Sequence, residues 1–268
     1  MRNPTLFALS AVHAEQIPLD IGAITIQFPM EADYVRVSQA QPKLFALVQA
    51  ALPPTNRLVE ALMTRADVTR LEQGGVAADI YYEVQVQRDF ELRQISIDDW
   101  VALKPQLTAG MSQDDMDKVM AADSGSNDRM SAVAGKQVSF NVGKVGAPEI
   151  YRETTQSVNY GMLVPMQVRI GNDVKSGTMA AAGSFTIARN KLIYIYAFST
   201  DASVDNIKRL RAHLNDVVDR TIALNPSDSA VRSTGAFDWS SVRRSALIGG
   251  AIGGLIGLIG WFVKRRKA

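Results

Sequence analysis

The sequence predicts an α+β domain: an antiparallel sheet with helices packed on it, followed by a flexible linker and one C-terminal transmembrane helix. Three observations carry this. Strand-like and helical stretches are segregated along the chain, with a block of five strand candidates between residues 137 and 198. One long amphipathic helix, 204–224, closes that block. A chargeless, glycine-rich run of 19 residues, 245–263, stands near the end.

The chain has 268 residues, enough for one or two domains with a sizeable core. Hydrophobic residues at 47% and charged residues at 21% fit a globular chain, not a disordered one. Cysteine is absent, which excludes disulfide scaffolds, thiolate metal sites and cysteine nucleophiles. With only two histidines, zinc and histidine-based catalysis have little to build on. The net charge is +2, but six cations flank the C-terminal run: Arg243, Arg244, Lys264, Arg265, Arg266 and Lys267. Without them acids outnumber bases, so the body is mildly acidic and nucleic-acid binding is not expected.

Residues 1–14 carry a minimal signal-like pattern. Arg2 precedes the apolar stretch Thr5–Val12, and Val12-His13-Ala14 resembles a small-residue cleavage site. Two readings fit: a truncated signal peptide whose start lies upstream, or a first strand. The signal reading is adopted.

The soluble domain is expected over 15–225. Ile21–Phe28 alternates and ends at Pro29, and Tyr34–Val37 is a second short apolar run. Pro42 suits a first helical turn before Leu44, Leu47, Val48 and Ala51, and Pro53-Pro54 ends that helix. Leu58, Leu62 and Met63 suggest a further short helix. In Val76–Val86 the residues Tyr82, Val84 and Val86 point one way; Glu83, Gln85 and Gln87 point the other. Asp98 and Asp99 suit a helix start before Trp100, and Ser112 with Asp115 forms a loose capping pattern before Met116.

Residues 123–129 read as a loop. Strand candidates follow at 137–145, 150–158, 162–170, 183–188 and 191–198, with a hairpin at Asn190-Lys191 and a turn at 171–173. Tyr194 and Tyr196 share one strand face, an arrangement that packs beneath a helix more often than it stacks on a ligand. In 204–224 a stripe of Ile207, Leu210, Leu214, Val217, Val218 and Ile222 marks the buried side, Ser203 or Asp205 caps the start, and Asn225-Pro226 stops it. Residues 226–244 read as a serine-rich linker.

The early IGAITIQFP strand with its proline, and the NKLIYIYAF strand leading directly into the SVDNIKRLRAHLNDVV helix, resemble the Mog1/PsbP-like α/β/α sandwich. The resemblance spans roughly residues 20–225. It implies a non-catalytic role in binding or assembling other proteins, and it carries over no functional residue.

Ser245–Val263 as a helix is about 28 Å long, close to the roughly 30 Å hydrocarbon core of a bilayer. Its six glycines would disfavour a helix in water but suit close helix packing in lipid. Gly249, Gly253 and Gly257 recur every four residues, and Gly250 with Gly254 forms an adjacent pair, a pattern expected to drive self-association in the membrane. Trp239 and Trp261 are expected at the two interfaces, with Arg243 and Arg244 on one side and the tail Lys264, Arg265, Arg266 and Lys267 (residues 264–268) on the other. The larger basic cluster places the C-terminus in the cytoplasm and the domain in the periplasm, anchored in a bacterial inner membrane.

Chemistry is sparse. Asp114, Asp115 and Asp117 fit a helix N-terminus better than a metal site, and 123–128 fails the calcium-loop pattern. No serine elbow is present. No cofactor or metal is expected. The functional expectation is a single-pass envelope protein whose domain binds a protein partner without catalysis. Two alternatives stay open: a membrane-bound serine hydrolase with a Ser–Lys site, and a tail-anchored protein with a cytosolic domain.

Overall fold

The computed structural model describes residues 15–108, 125–234 and 239–253. Tight turns organise the strands. β1 (Glu15–Ile21) and β2 (Ile24–Met30) form a hairpin whose turn uses Gly22 at φ +59°, a left-handed conformation that glycine adopts without a Cβ penalty. The predicted strand over 21–28 is thus split by this turn. β3 (Tyr34–Arg36) leads into α1 (Val37–Ala40) and α2 (Pro42–Ala51), with Pro42 in the first turn as expected.

β4 (Asn56–Thr64) replaces the short helix expected at Leu58–Met63. A register shift between Leu58 and Glu60 breaks its alternation, which gives a strand the look of helical spacing. α3 (Arg65–Glu72) follows, capped by Thr64. β5 (Tyr81–Gln87) begins later than expected. α4 (Ile97–Thr108) starts at the Asp98-Asp99 pair. α5 (Ser126–Ala134) occupies part of the expected loop.

β6 (Val138–Val142), β7 (Glu149–Glu153), β8 (Ser157–Ile170), β9 (Asp173–Ala188) and β10 (Lys191–Ser199) supply the rest of the sheet. The β9–β10 turn falls on Arg189 and Asn190, both at positive φ, one residue before the expected position. α6 (Val204–Leu224) has the expected bounds, and the Ser203 hydroxyl accepts from the Asn206 amide at its start. α7 (Trp239–Gly253) ends the described chain.

The main sheet is antiparallel throughout, in the order β3-β4-β5-β10-β9-β8-β6, with β7 pairing β8 beside β6. Its two faces differ in chemistry. One carries Val84, Val86, Ile193 and Ile195, and is covered by the β1–β2 hairpin and by Leu210, Leu214, Val217 and Val218 of α6. Burying each such side chain stabilises the fold by about 1.5–3 kcal/mol. Asn225 locks these two covers together: its amide donates to the Gln27 carbonyl and its carbonyl oxygen accepts from the Gln27 N–H. The opposite face carries Tyr81, Tyr160, Phe185, Tyr194, Tyr196 and Phe198, and is covered by α2, α4, α5 and α7.

The α+β antiparallel part of the expected fold class is therefore found. The C-terminal part is corrected. Among the described residues no helix is long and apolar enough to cross a membrane. α7 begins six residues before the expected span, includes Arg243 and Arg244, and buries Val242, Ala246, Leu247, Ile248 and Ala251 against the domain. Over 245–251, the apolar surface that lipid was expected to cover is covered by the sheet and its helices. The single-pass inner-membrane placement, with a periplasmic domain and a cytoplasmic tail, is overturned by the same finding.

Residues 226–234, expected as a free spacer, are stitched to the domain. Asn190 bonds Asp228 in both directions, the Gln94 N–H donates to the Thr234 hydroxyl, and the Ser96 N–H donates to the Ser233 hydroxyl. The signal-like segment 1–14, the aspartates at 114, 115 and 117, and Gly254, Gly257, Trp261 and Lys264–Lys267 lie outside the described residues.

Candidate functional site

Polar side chains line the sheet face beneath α7, where a core would ordinarily be apolar. Asn56 comes from β4, and Glu83, Gln85 and Gln87 from β5. Tyr194 and Tyr196 come from β10, and Tyr160 from β8. All seven are buried. Alternation on β5 places its three polar residues on one face, as the sequence indicates, but that face is inside the protein and not in solvent. Tyr194 and Tyr196 pack beneath a helix as expected.

These side chains meet α7 through its main chain. Tyr196 Oη donates to the Ala246 carbonyl at 2.7 Å, and Asn56 Nδ2 donates to the Ser245 carbonyl at 2.9 Å. Longer contacts extend the row: Tyr194 Oη to the Val242 carbonyl and Gln85 Nε2 to the Gly249 carbonyl, each 3.4 Å, and Tyr160 Oη to the Ala246 carbonyl at 3.5 Å. A helical carbonyl has two lone pairs, so it accepts such a bond while keeping its intrahelical one. The acceptors at 242, 245, 246 and 249 recur at three- and four-residue spacing, one stripe of the helix.

Glycine makes this approach feasible. A Cβ at Gly249 would stand 2.4 Å from Gln85 Oε1 and 3.1 Å from both Asn56 Nδ2 and Tyr196 Oη. A Cβ at Gly250 would stand 2.9 Å from Tyr196 Cε1. These two glycines thus face the protein's own sheet, in place of the helix–helix contact expected for them in lipid. Gly253 is the last described residue of α7. Trp239 opens the helix, Arg243 is half-buried and donates to the Gln106 carbonyl, and Arg244 is exposed. Below the helix, the Tyr160 ring lies over Gly183, its partner across the β8–β9 ladder. Phe185 then links Tyr160 to Tyr194 by ring contacts at 5.4 and 5.8 Å.

Electrostatically the face is a set of donors. Burial pushes the phenols of Tyr160, Tyr194 and Tyr196 up, so they keep their protons. Burial also pushes the Glu83 carboxyl up to about 8, opposed by the hydrogen bond from Gln85 Nε2 to Glu83 Oε2 at 2.7 Å. Glu83 Oε1 is buried and has no hydrogen-bond partner among the described residues.

Several side chains of types used in catalysis are held in structural hydrogen bonds. Lys191 donates to the Glu91 and Arg93 carbonyls, and Lys104 to the Thr154 carbonyl. Ser184 bonds Asn159 and Thr186. His213 is half-buried on the flank of α6, 3.4 Å from the Tyr82 hydroxyl. Among the described residues no group of three or more acids and histidines is placed to hold a metal. A cleft of about 330 Å³ between α6 and β7–β9 is lined by Gly161, Leu163, Ala182, Ile207 and Arg211. Its charged groups, Arg211 and Glu149, are spent on each other at 2.6 Å.

No protein-family model matches the chain, and no curated protein matches it. Among solved structures it is similar to the cyanobacterial PsbP (CyanoP) of Synechocystis sp. PCC 6803, at 16% identity and a TM-score of 0.35, covering 80% of this chain and 98% of that one. It is also similar to the Saccharomyces cerevisiae Ran-binding protein Mog1p, at 10% identity and a TM-score of 0.30, covering 78% of this chain and 94% of that one. These two weak likenesses are of the Mog1/PsbP kind that the sequence resembles.

Proposed function

We propose that the chain is a non-catalytic protein-binding domain whose polar sheet face is a groove for a helix rich in small residues. α7 is the resident occupant, and the partner is a protein presenting a helix of the same kind. The row of donors from Asn56, Gln85, Tyr194 and Tyr196 to carbonyls of α7 carries this reading. A helix held only for stability is better served by apolar side chains, because burying polar groups costs free energy unless each is bonded. Donors aimed at carbonyls instead recognise the helical main chain. They ask of the occupant only that its facing positions be glycine or alanine, as at Ala246, Gly249 and Gly250.

The spacing supports the same reading. Every second residue along a strand advances about 6.6–6.8 Å, and every fourth along a helix about 6 Å. A small residue every four positions therefore keeps pace with a polar residue every two.

Competition in the full chain tests the proposal. The chain has no cysteine, so Leu247→Cys, at a position 2% exposed, is a single reporter of α7 docking. A peptide with the sequence of 239–253 is expected to accelerate thiol labelling of that reporter, and the same peptide carrying Gly249→Leu is not. Labelling that stays slow with both peptides would make the groove a closed core contact and not a binding site.

A further inference from the structure

We infer that Glu83 is a protonation-controlled latch on the groove: neutral, it tolerates α7 overhead; ionised, it drives α7 out and opens the site. This rests on the groove reading above and adds its regulation.

Three geometric facts carry the inference. Glu83 is fully buried at one end of the polar run on β5, opposite Tyr196 in the β5–β10 register. Its Oε2 already accepts from Gln85, so in the neutral acid the proton sits on Oε1, which gives the group the same donor character as the row around it. Gln85 also reaches the Gly249 carbonyl, which ties the Glu83 site directly to the helix. Ionisation turns this one member into an anion bonded by Gln85 alone, beneath a helix surface that presents carbonyl oxygens at 246 and 249.

Among the described residues no cation is bonded to Glu83. On the sheet the facing groups are Gln85 and the phenols of Tyr196 and Tyr160; Glu60 on β4 is held by Arg36 and Ser38. From α7 the facing residues are Ala246, Gly249 and Gly250, while Arg243 reaches away to Gln106. Of the charged groups on α2, α4 and α5, Lys43, Asp98 and Asp128 are exposed, Asp99 is bonded to Ser96, Lys104 to the Thr154 carbonyl, and Arg129 to the Ala50 and Leu52 carbonyls.

The direction follows from proton linkage. Docked, Glu83 holds its proton up to about pH 8; with α7 away, water restores it towards its ordinary value of 4.5. Between those limits the docked state binds one more proton. Docking is therefore strongest in acid, weakens about tenfold per pH unit as pH rises through this window, and levels off above it.

The test uses the full chain carrying the Leu247→Cys reporter, with labelling rates corrected for thiolate content, between pH 4 and pH 10. Protection of α7 is expected to fall steeply across the window in the parent and to stay flat in Glu83→Gln, while circular dichroism reports an intact sheet in both. Parallel profiles in parent and variant would overturn the latch. The carboxyl carbon resonance of Glu83 in the parent chain gives a check free of any change at Glu83: a midpoint displaced above 4.5 that coincides with the loss of α7 protection supports the latch, and one near 4.5, or one at which α7 stays protected, overturns it. Failure of the groove reading looks different, because labelling at pH 4 would then stay slow even with the 239–253 peptide added.

Discussion

The Tyr196 hydroxyl donates a 2.7 Å hydrogen bond to the main-chain carbonyl of Ala246, joining the centre of the sheet to the middle of the C-terminal helix. Both residues are buried. The phenol reads the helix by its backbone, so its contribution is separable from that of the ring, which packs against Phe198 at 5.9 Å.

Tyr196→Phe removes the donor and keeps the ring. The Ala246 carbonyl retains its intrahelical bond, so the loss is that of one net hydrogen bond, about 0.5–1.5 kcal/mol. The expected result is a lower urea midpoint with an unchanged slope, together with faster labelling of Leu247→Cys. An unchanged labelling rate would mean that the bond does not hold α7.

Gly249→Ala sets two effects against each other. In a free helix it gains about 1 kcal/mol. Here the new methyl meets Gln85 Oε1 at 2.4 Å, and overpacking of this kind costs about 1–3 kcal/mol. A net destabilisation is expected by urea unfolding. Gly177→Ala on β9, whose Cβ would meet nothing within 4 Å, serves as the comparison and is expected to change stability by less than about 0.5–1 kcal/mol. Equal effects at the two positions would contradict close packing of α7.

Much of the fold was legible because burial left a regular trace. The stripe from Ile207 to Ile222 marks one side of α6, and its bounds came out as expected. The i, i+2 spacing of Tyr194 and Tyr196 fixed their common face. β4 was not legible, because the register shift after Leu58 puts Leu58, Ala61 and Met63 on one face, out of step with a period of two.

The candidate site was half-legible. Glu83, Gln85 and Gln87 were correctly placed on one side of β5, but polar residues alone do not show that this side is buried. A signal pointing inward was present: the Tyr194 and Tyr196 pair on a strand, and a small-residue helix later in the chain. The same helix misled the membrane reading. Glycine spacing reports only that something approaches the helix closely. Hydropathy does not tell a lipid tail from the rings of Tyr160 and Tyr196, so the sheet that covers α7 left no distinct mark within 245–263.

Disulfide trapping of α7 on the sheet tests the central claim most directly. Thr55 Oγ1 and Ser245 Oγ lie 3.4 Å apart, between the start of β4 and the underside of α7, in a chain without native cysteine. Thr55→Cys with Ser245→Cys is expected to form an intramolecular disulfide under mild oxidation, and the cross-linked monomer should unfold at higher urea than its reduced form. Free thiols persisting in the folded monomer would contradict the seating of α7 on the polar face.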